Sequence, residues 1–199
     1  MDKFEPLDAV AAPINQANVD TDQIIPARFL SRPREAGLAE CLFRDLRFDG
    51  EGQERGDFVL NVEPYRSAHV VVGGNNFGCG SSRENAVWAL YDYGIRAAIA
   101  PSFGDIFNNN SLKNGLLPVV LPADVVEGLI AWLTDHPGAR VAIDLAAQEA
   151  TLPDGSVHHF DVDPFAKHCM LNGVDEMAYT LTKVEEIEAF EHRFGRENV

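Results

Sequence analysis

The stretch from Gly73 to Leu90, GGNNFGCGSSRENAVWAL, holds the residues best suited to chemistry in this chain of 199 residues. Its pattern predicts a strand, then a glycine-rich turn, then the first turn of a helix. Such a turn directs backbone N–H groups and the positive end of the helix dipole at an anion. Ser81 could act there as a base, because N–H donors would stabilise its alkoxide. Arg83 could bind a carboxylate through two hydrogen bonds.

Three common glycine-loop motifs do not account for this turn. A dinucleotide-binding fingerprint needs glycine where Arg83 stands, and the phosphate-binding loop needs a lysine that does not follow Gly78. The G-x-S-x-G pattern of a nucleophile elbow is absent as well. A purely structural interpretation stays open, because Ser81 and Glu84 have the S-x-x-E spacing of a helix capping box.

A second candidate is a short cationic segment. Arg28, Arg32 and Arg34 lie close together, with no acid until Glu35. The chain has 16 basic and 31 acidic residues and a formal net charge of −15, so a local cationic segment is where an anionic ligand would be held. A solvated surface loop explains the same charges equally well.

The elements that must position these residues follow an α/β pattern. Apolar periodicity predicts helices over 82–93, 124–134 and 182–194, and a short polar helix within 101–114. Strands are predicted over 69–73, 95–100, 116–121, 140–145, 150–152 and 157–160. Thr182 and Glu185 have capping-box spacing at the last helix. The mixture predicts three layers, with β-structure packed on a small sheet that helices flank.

Composition limits the class of protein. The length and the hydrophobic content of 46% fit one globular domain over residues 1–199. The acidic balance disfavours a nucleic-acid binder, and no apolar run approaches the ~20 residues that span a bilayer. The start, MDKFEPLDAV, lacks the basic region of a secretory signal, and the cysteines are three and far apart. We therefore expect a reducing, cytoplasmic location and no membrane partner.

No metal or cofactor site is predicted on this chain. The six histidines show no metal-binding spacing, and Asp20 and Asp22 lack a third ligand. Cys41, Cys79 and Cys169 form no C-x-x-C motif, so the chain alone is a poor holder of an iron–sulfur cluster.

Four stretches of the chain resemble the small subunits of 3-isopropylmalate dehydratases. Residues 18–26, NVDTDQIIP, are similar to the family motif N-(V/I)-D-T-D-x-I-I-P, and residues 76–84, NFGCGSSRE, match its second motif. Residues 100–114 and 167–181 agree too. The likeness runs in order from about residue 8 to residue 192.

The resemblance implies a three-layer β/β/α swivelling domain, similar to the C-terminal domain of aconitase. It also implies a hydro-lyase of leucine biosynthesis, which interconverts 2-isopropylmalate and 3-isopropylmalate through isopropylmaleate. The substrate would be a small diacid. A large-subunit partner would carry a [4Fe–4S] cluster, whose iron would act as Lewis acid on the substrate.

Carried over position by position, the resemblance also implies roles for single residues. Ser81 would be the base, and Arg83, with Ser82 beside it, would bind a substrate carboxylate. Asp22 would assist proton traffic at the leaving hydroxyl. The segment 27–34 would select the substrate: Phe29 and Leu30 would face an isopropyl group, and Arg28, Arg32 or Arg34 would face a carboxylate.

One residue departs from the family pattern. Asn85 stands where the family usually has a histidine, and asparagine can replace a hydrogen bond but cannot titrate near neutrality. We expect that position to orient the glycine loop. Two alternatives remain: a related hydro-lyase that acts on methylmalate, dimethylmaleate or homoaconitate, and a non-catalytic carboxylate-binding regulatory module.

Overall fold

Seven strands and eight helices make up the fold in the computed structural model, which describes residues 1–195. The strands are β1 (Leu7–Ile14), β2 (Val70–Gly73), β3 (Ala97–Ala100), β4 (Leu117–Val120), β5 (Arg140–Asp144), β6 (Glu149–Thr151) and β7 (Val157–His159). The helices are α1 (Thr21–Ile24), α2 (Arg44–Arg47), α3 (Glu84–Tyr93), α4 (Asp105–Lys113), α5 (Ala123–Asp135), α6 (Pro164–Asn172), α7 (Glu176–Leu181) and α8 (Val184–Gly195).

The strands form one mixed sheet in the order β4-β3-β2-β1-β5-β6-β7. Strands β1 to β4 pair parallel with one another, whereas β5 pairs antiparallel with β1, and β6 and β7 continue the sheet antiparallel. The two halves meet on β1, whose residues 7–10 pair with β5 and whose residues 11–14 pair with β2. A mixed α/β fold, as expected from the sequence, is confirmed.

Strand β1 is not among the strands predicted from the sequence. Its Pro13 lacks an N–H group, and proline is rare in the interior of a sheet. The register explains why it is tolerated: pairing with β5 ends at Val10, so Pro13 is paired on its β2 side only. Helices α1, α2, α6 and α7 were not predicted either. The other predicted strands, and the predicted helices including the polar one at α4, are present with ends shifted by a few residues.

Two apolar cores lie on opposite faces of the sheet because successive strand residues point to opposite sides. In β2, Val71 belongs to the core beneath α3, whereas Val70 and Val72 belong to the core shared with α5 and the β5–β6 hairpin. Both faces of the central strands are therefore covered. Within residues 1–195 no helix has the length and apolar character to cross a bilayer.

Candidate functional site

The two family-like motifs meet where the parallel strands end. Residues 15–24 follow β1, and residues 74–83 follow β2, so both lie at the carboxyl edge of the parallel half-sheet, where α/β folds commonly place their sites. Backbone bonds join them: Asn18 donates to the carbonyl of Asn75 over 2.8 Å, and Gly78 donates to that of Val19 over 2.7 Å. The loop after β3 joins the same ladder, because Phe77 donates to Ser102 over 3.0 Å.

Two glycines allow the glycine-rich loop to pack closely against its neighbours, one within the loop and one in the segment that follows β3. Gly78 has φ +72°, and a Cβ there would lie 2.2 Å from the ring of Phe107. A Cβ at Gly104 would lie 2.6 Å from the carbonyl oxygen of Gly78. The ring of Phe77, which is buried, packs edge-on against Phe107 with centroids 5.7 Å apart. The loop is therefore packed against the aromatic ring of Phe107 in α4.

Ser81 lies on the exposed side of this loop. Its hydroxyl makes no hydrogen bond to any described residue, and the backbone N–H groups of Gly80 to Arg83 have no acceptor in residues 1–195. Helix α3 begins at Glu84, with Arg83 as its N-cap and no side-chain capping bond. The capping-box interpretation of Ser81 is therefore wrong, and Arg83 stands just before the helix, not inside it. Serine and free donors together could stabilise a developing negative charge.

Arg83 pairs with Asp22 across the two motifs. The Arg83 side chain is 14% exposed, whereas that of Asp22 is 55% exposed. Asp20 has a different task as the N-cap of α1: its carboxylate accepts from the N–H of Gln23 over 2.7 Å, and the Gln23 side chain accepts from the N–H of Asp20 over 3.2 Å. The two aspartates therefore serve a helix cap and an ion pair.

Thr21 joins α1 to the glycine-rich loop by two further bonds. Its backbone N–H donates to the carbonyl of Cys79 over 2.9 Å, and its hydroxyl donates to the carbonyl of Ser81 over 3.0 Å. Ser81, Arg83 and Asp22 are consequently held in one assembly, although the sequence separates the pair Arg83 and Asp22 by 61 positions.

Arg28 and Arg32 both bind groups in residues 36–45, which follow their segment. Arg28 donates to Asp45 through both guanidinium ends, with Nη1 and Oδ2 2.9 Å apart, and this bond holds the pKa of the Asp45 carboxyl below its ordinary value. Arg32 donates from Nη2 to the carbonyl of Ala36 over 3.1 Å, and its Nη1 lies 3.6 Å from the Cys41 sulfur.

Arg34 reaches the start of α3 instead. Its Nη1 lies 3.4 Å from Oδ1 of Asn114, and its guanidinium lies over the Trp88 ring, 4.9 Å from the centroid. Asn114 also accepts from the Trp88 indole over 2.8 Å and donates to Glu84 over 2.7 Å. Asn114 was not predicted as a site residue, since only its place in a family-like stretch marks it in the sequence.

The remaining predicted residues differ in exposure. Ser82 is exposed beside Arg83, and Leu30 is 36% exposed. Phe29 is partly buried against the core, so Leu30 offers more open apolar surface. Asn85 is half-buried at the second position of α3, and its side chain makes no hydrogen bond to the described residues.

The cysteines do not fit a [4Fe–4S] cluster, which needs several thiolates at one place. Cys41 is buried in a 3₁₀ turn, Cys79 is half-buried in the glycine-rich loop, and Cys169 is buried in α6, where burial raises the pKa of its thiol. No three His, Cys, Asp or Glu side chains in residues 1–195 converge on a metal position.

Comparison with known proteins gives a consistent set of relatives. The family model described as the aconitase C-terminal domain matches residues 1–124, and a second, LeuD_N, matches residues 127–164. The 3-isopropylmalate dehydratase small subunit of Rhodospirillum centenum is 53% identical over 193 residues, which is 97% of this chain and 95% of that protein. The same subunit of Parvibaculum lavamentivorans is 54% identical, over 97% of this chain and 96% of its own.

A solved structure is similar over nearly the same length. The crystal structure of 3-isopropylmalate dehydratase (leuD) from Methanocaldococcus jannaschii superposes with a TM-score of 0.65 at 28% identity. The superposition covers 94% of this chain and 99% of that one.

Proposed function

Because the chain belongs to the family of 3-isopropylmalate dehydratase small subunits, we propose that its glycine-rich loop forms one half of a hydro-lyase active site. The family resemblance read from the motifs is thereby confirmed, as are the dehydratase activity and the place in leucine biosynthesis. One observation carries the proposal of a half-site: Ser81, whose hydroxyl has no partner in residues 1–195, stands in a segment of unpaired N–H groups over residues 80–83, two positions before the Arg83 that pairs with Asp22.

The reaction moves a hydroxyl group between adjacent carbons of a small diacid. Ser81, as alkoxide, removes the proton from one carbon while the C–O bond at the next carbon breaks, and a double bond forms between them. The proton taken from carbon stays on the Ser81 hydroxyl, and the leaving hydroxyl takes up a second proton, which solvent supplies through Asp22, and departs as water. Addition of water in the opposite sense gives the isomer, with the proton returned to carbon from the Ser81 hydroxyl. The N–H groups of residues 80–83 support this role, because they stabilise the serine alkoxide.

Arg83 fixes the substrate against Ser81 through a carboxylate. Its guanidinium is largely shielded from water, which strengthens a charge-assisted bond to an incoming anion. The substrate carboxylate competes with Asp22 for Arg83, and binding releases the Asp22 side chain to handle the proton at the leaving hydroxyl. Ser82 adds a hydroxyl donor beside the same carboxylate.

The segment 27–34 supplies substrate selectivity in this proposal. Leu30 and Phe29 face the isopropyl group. For the second carboxylate we favour Arg34, since it is connected through Asn114 to the start of α3, whereas the hydrogen bonds of Arg28 and Arg32 go to residues 36–45.

The remaining components belong to a large-subunit partner. Members of this family are small subunits of an iron–sulfur enzyme, and the cysteines of this chain do not fit the cluster. We place the cluster on the large subunit, where its iron would act as a Lewis acid on the substrate. We also place the assembled enzyme in the cytoplasm.

Activity of the separate and combined subunits tests the proposal. Turnover of 3-isopropylmalate is measured with this chain alone, and again after anaerobic mixing with the cluster-loaded large subunit from the same organism. We expect turnover only in the mixture. Turnover by this chain alone, or none in a mixture with an intact cluster, would contradict the half-site. Because Asn85 departs from the family pattern, methylmalate is offered in competition, and a preference for it would assign the related hydro-lyase activity instead.

A further inference from the structure

We propose that Thr21 is a positioning residue that sets the orientation of Ser81. The inference rests on the proposed role of Ser81 as base and extends it to a residue that does not touch the substrate. Thr21 is 2% exposed and is one of the few buried polar residues in the described chain. Its neighbour Asp22 contacts Arg83, so Thr21 stands between the two halves of the site.

Both hydrogen-bond donors of Thr21 are used on the glycine-rich loop. The N–H group donates to the carbonyl of Cys79 over 2.9 Å, and the hydroxyl donates to the carbonyl of Ser81 over 3.0 Å. The Thr21 hydroxyl also stands 3.4 Å from where a Cβ of Gly80 would be. Gly80 is thus held against Thr21 by the bonds to the carbonyls of Cys79 and Ser81 on either side of it.

These bonds matter because the loop offers Ser81 little other restraint. Gly78 and Gly80 have φ of +72° and +95°, and the Ser81 side chain has no partner in residues 1–195. With the Ser81 carbonyl turned toward α1, the peptide unit is fixed from that end. The direction of the Ser81 Cα–Cβ bond then follows from its backbone, and this direction limits where the hydroxyl of a base can reach a carbon-bound proton.

Thr21 itself is fixed by its own helix. The Asp20–Gln23 capping box closes the first turn of α1, and Ile24 and Ile25 are fully buried beneath it. The three residues Asp20, Thr21 and Asp22 therefore divide the work: the first caps the helix, the second clamps the loop, and the third pairs with Arg83.

The test uses the assembled two-subunit enzyme and three variants. Thr21→Val keeps the shape and loses the hydroxyl, and Thr21→Ser keeps the hydroxyl. Ser111→Ala is the control, since Ser111 is fully buried and its hydroxyl donates within α4 to the carbonyl of Phe107 over 2.7 Å. We expect Thr21→Val to lower kcat roughly tenfold to a hundredfold with KM changed by less than about threefold. Thr21→Ser should restore kcat to near the wild-type value, and Ser111→Ala should keep it.

Several results would overturn the inference. An unchanged kcat in Thr21→Val would do so, as would a Thr21→Ser enzyme as slow as Thr21→Val, or a loss confined to KM. If Thr21→Val does not assemble with the large subunit, Thr21→Ala is measured instead and carries the same expectation.

A separate arm distinguishes this inference from the proposed function. If Ser81→Ala turns over normally, the role of Ser81 as base fails and Thr21 has nothing to position. If Ser81→Ala is impaired while Thr21→Val is normal, only the present inference fails. Where residual turnover of Ser81→Ala is measurable, adding Thr21→Val should lower it by less than twofold, because a residue that acts through Ser81 is not additive with its loss.

Discussion

Arg83 and Asp22 form an ion pair between two motifs that are distant in the sequence. The pair has a shielded partner and an exposed one, so an incoming carboxylate can replace Asp22 while Arg83 keeps its place. In the proposed half-site, substrate binding exchanges one carboxylate for another on the same guanidinium. This exchange explains how a charged residue next to the base can be satisfied before substrate arrives.

Replacing Arg83 by lysine should weaken substrate binding. Lysine keeps the charge but loses the planar fork that binds a carboxylate at two points. Loss of one charge-assisted hydrogen bond costs about 1.5 to 3 kcal/mol, so kcat/KM of the assembled enzyme should fall roughly tenfold to a hundredfold, mainly through KM. Steady-state kinetics measure this.

A matched substitution controls for the loss of an arginine. Arg140 forms an ion pair with Asp8 at β1, 2.9 Å between Nε and Oδ1, away from the glycine-rich loop. Arg140→Lys should leave kcat/KM within about twofold. Equal effects of the two substitutions would argue against a substrate contact of Arg83.

Among the secondary-structure elements, α4 determines the path of the glycine-rich loop through its contact with Gly78. The chain there has a positive φ at Gly78, and the ring of Phe107 fills the space that a side chain would need. Gly78→Ala should therefore lower the free energy of unfolding by about 1 to 3 kcal/mol and reduce turnover, because the loop must shift. Urea denaturation and kinetics of the complex measure the two effects.

Gly128→Ala serves as the control for this substitution. Gly128 lies inside α5, and a Cβ there would contact nothing within 4 Å. Alanine should stabilise the helix by about 0.5 to 1 kcal/mol with no effect on turnover. Stabilisation by Gly78→Ala as well would show that the loop does not require glycine.

The chain that follows residues 27–34 is held in place by a buried arginine. Arg47 is 5% exposed, and burial lowers the pKa of its guanidinium. It donates to Oδ1 of Asn61 over 3.0 Å and to the carbonyls of Ala39 and Leu42 over 3.4 Å each. Arg47→Met leaves Oδ1 of Asn61 and the carbonyl of Leu42 without a donor, whereas the carbonyl of Ala39 still accepts from the N–H of Leu42 over 3.3 Å.

We expect Arg47→Met to lower the free energy of unfolding by roughly 1 to 3 kcal/mol. Arg55→Met, at a side chain that is 46% exposed, should cost less than about 1 kcal/mol. Chemical denaturation of both variants decides, and similar losses would mean that the bonds of Arg47 are not a source of stability.

Local patterns predicted the elements around the site better than the contacts within it. Gly94 stops α3 in the left-handed conformation, as a C-terminal glycine signals. By contrast, the pairing of Arg83 with Asp22 depends on the parallel alignment of β1 and β2, which no short-range signal contains. β1 itself was missed because Pro13 is compatible with a central strand only where its partner on one side has ended.

For the molecule as a whole, the candidate site is an open edge of the sheet. Ser81, Ser82 and Asp22 are exposed, and nothing in residues 1–195 covers them. A half-site of this kind binds substrate weakly alone, since Arg83 is already paired and only one wall is present. Titration calorimetry of the isolated chain with 3-isopropylmalate should give no saturable heat at millimolar ligand. Tight binding would instead favour the non-catalytic carboxylate-binding module.

The role of Ser81 is the centre of this account, and one substitution tests it most directly. Ser81→Ala removes the hydroxyl but leaves Thr21 its carbonyl acceptor, so the fold and the assembly with the large subunit should persist. Ser67→Ala is the control, since Ser67 is exposed and its hydroxyl donates only to the carbonyl of Pro64, over 3.1 Å.

Turnover of 3-isopropylmalate by the reconstituted complex is the measurement. Loss of a general base costs about 10² to 10⁴-fold, so Ser81→Ala should fall by that factor while Ser67→Ala stays at the wild-type rate. A correctly assembled Ser81→Ala complex with a rate near that of the wild type would contradict the account.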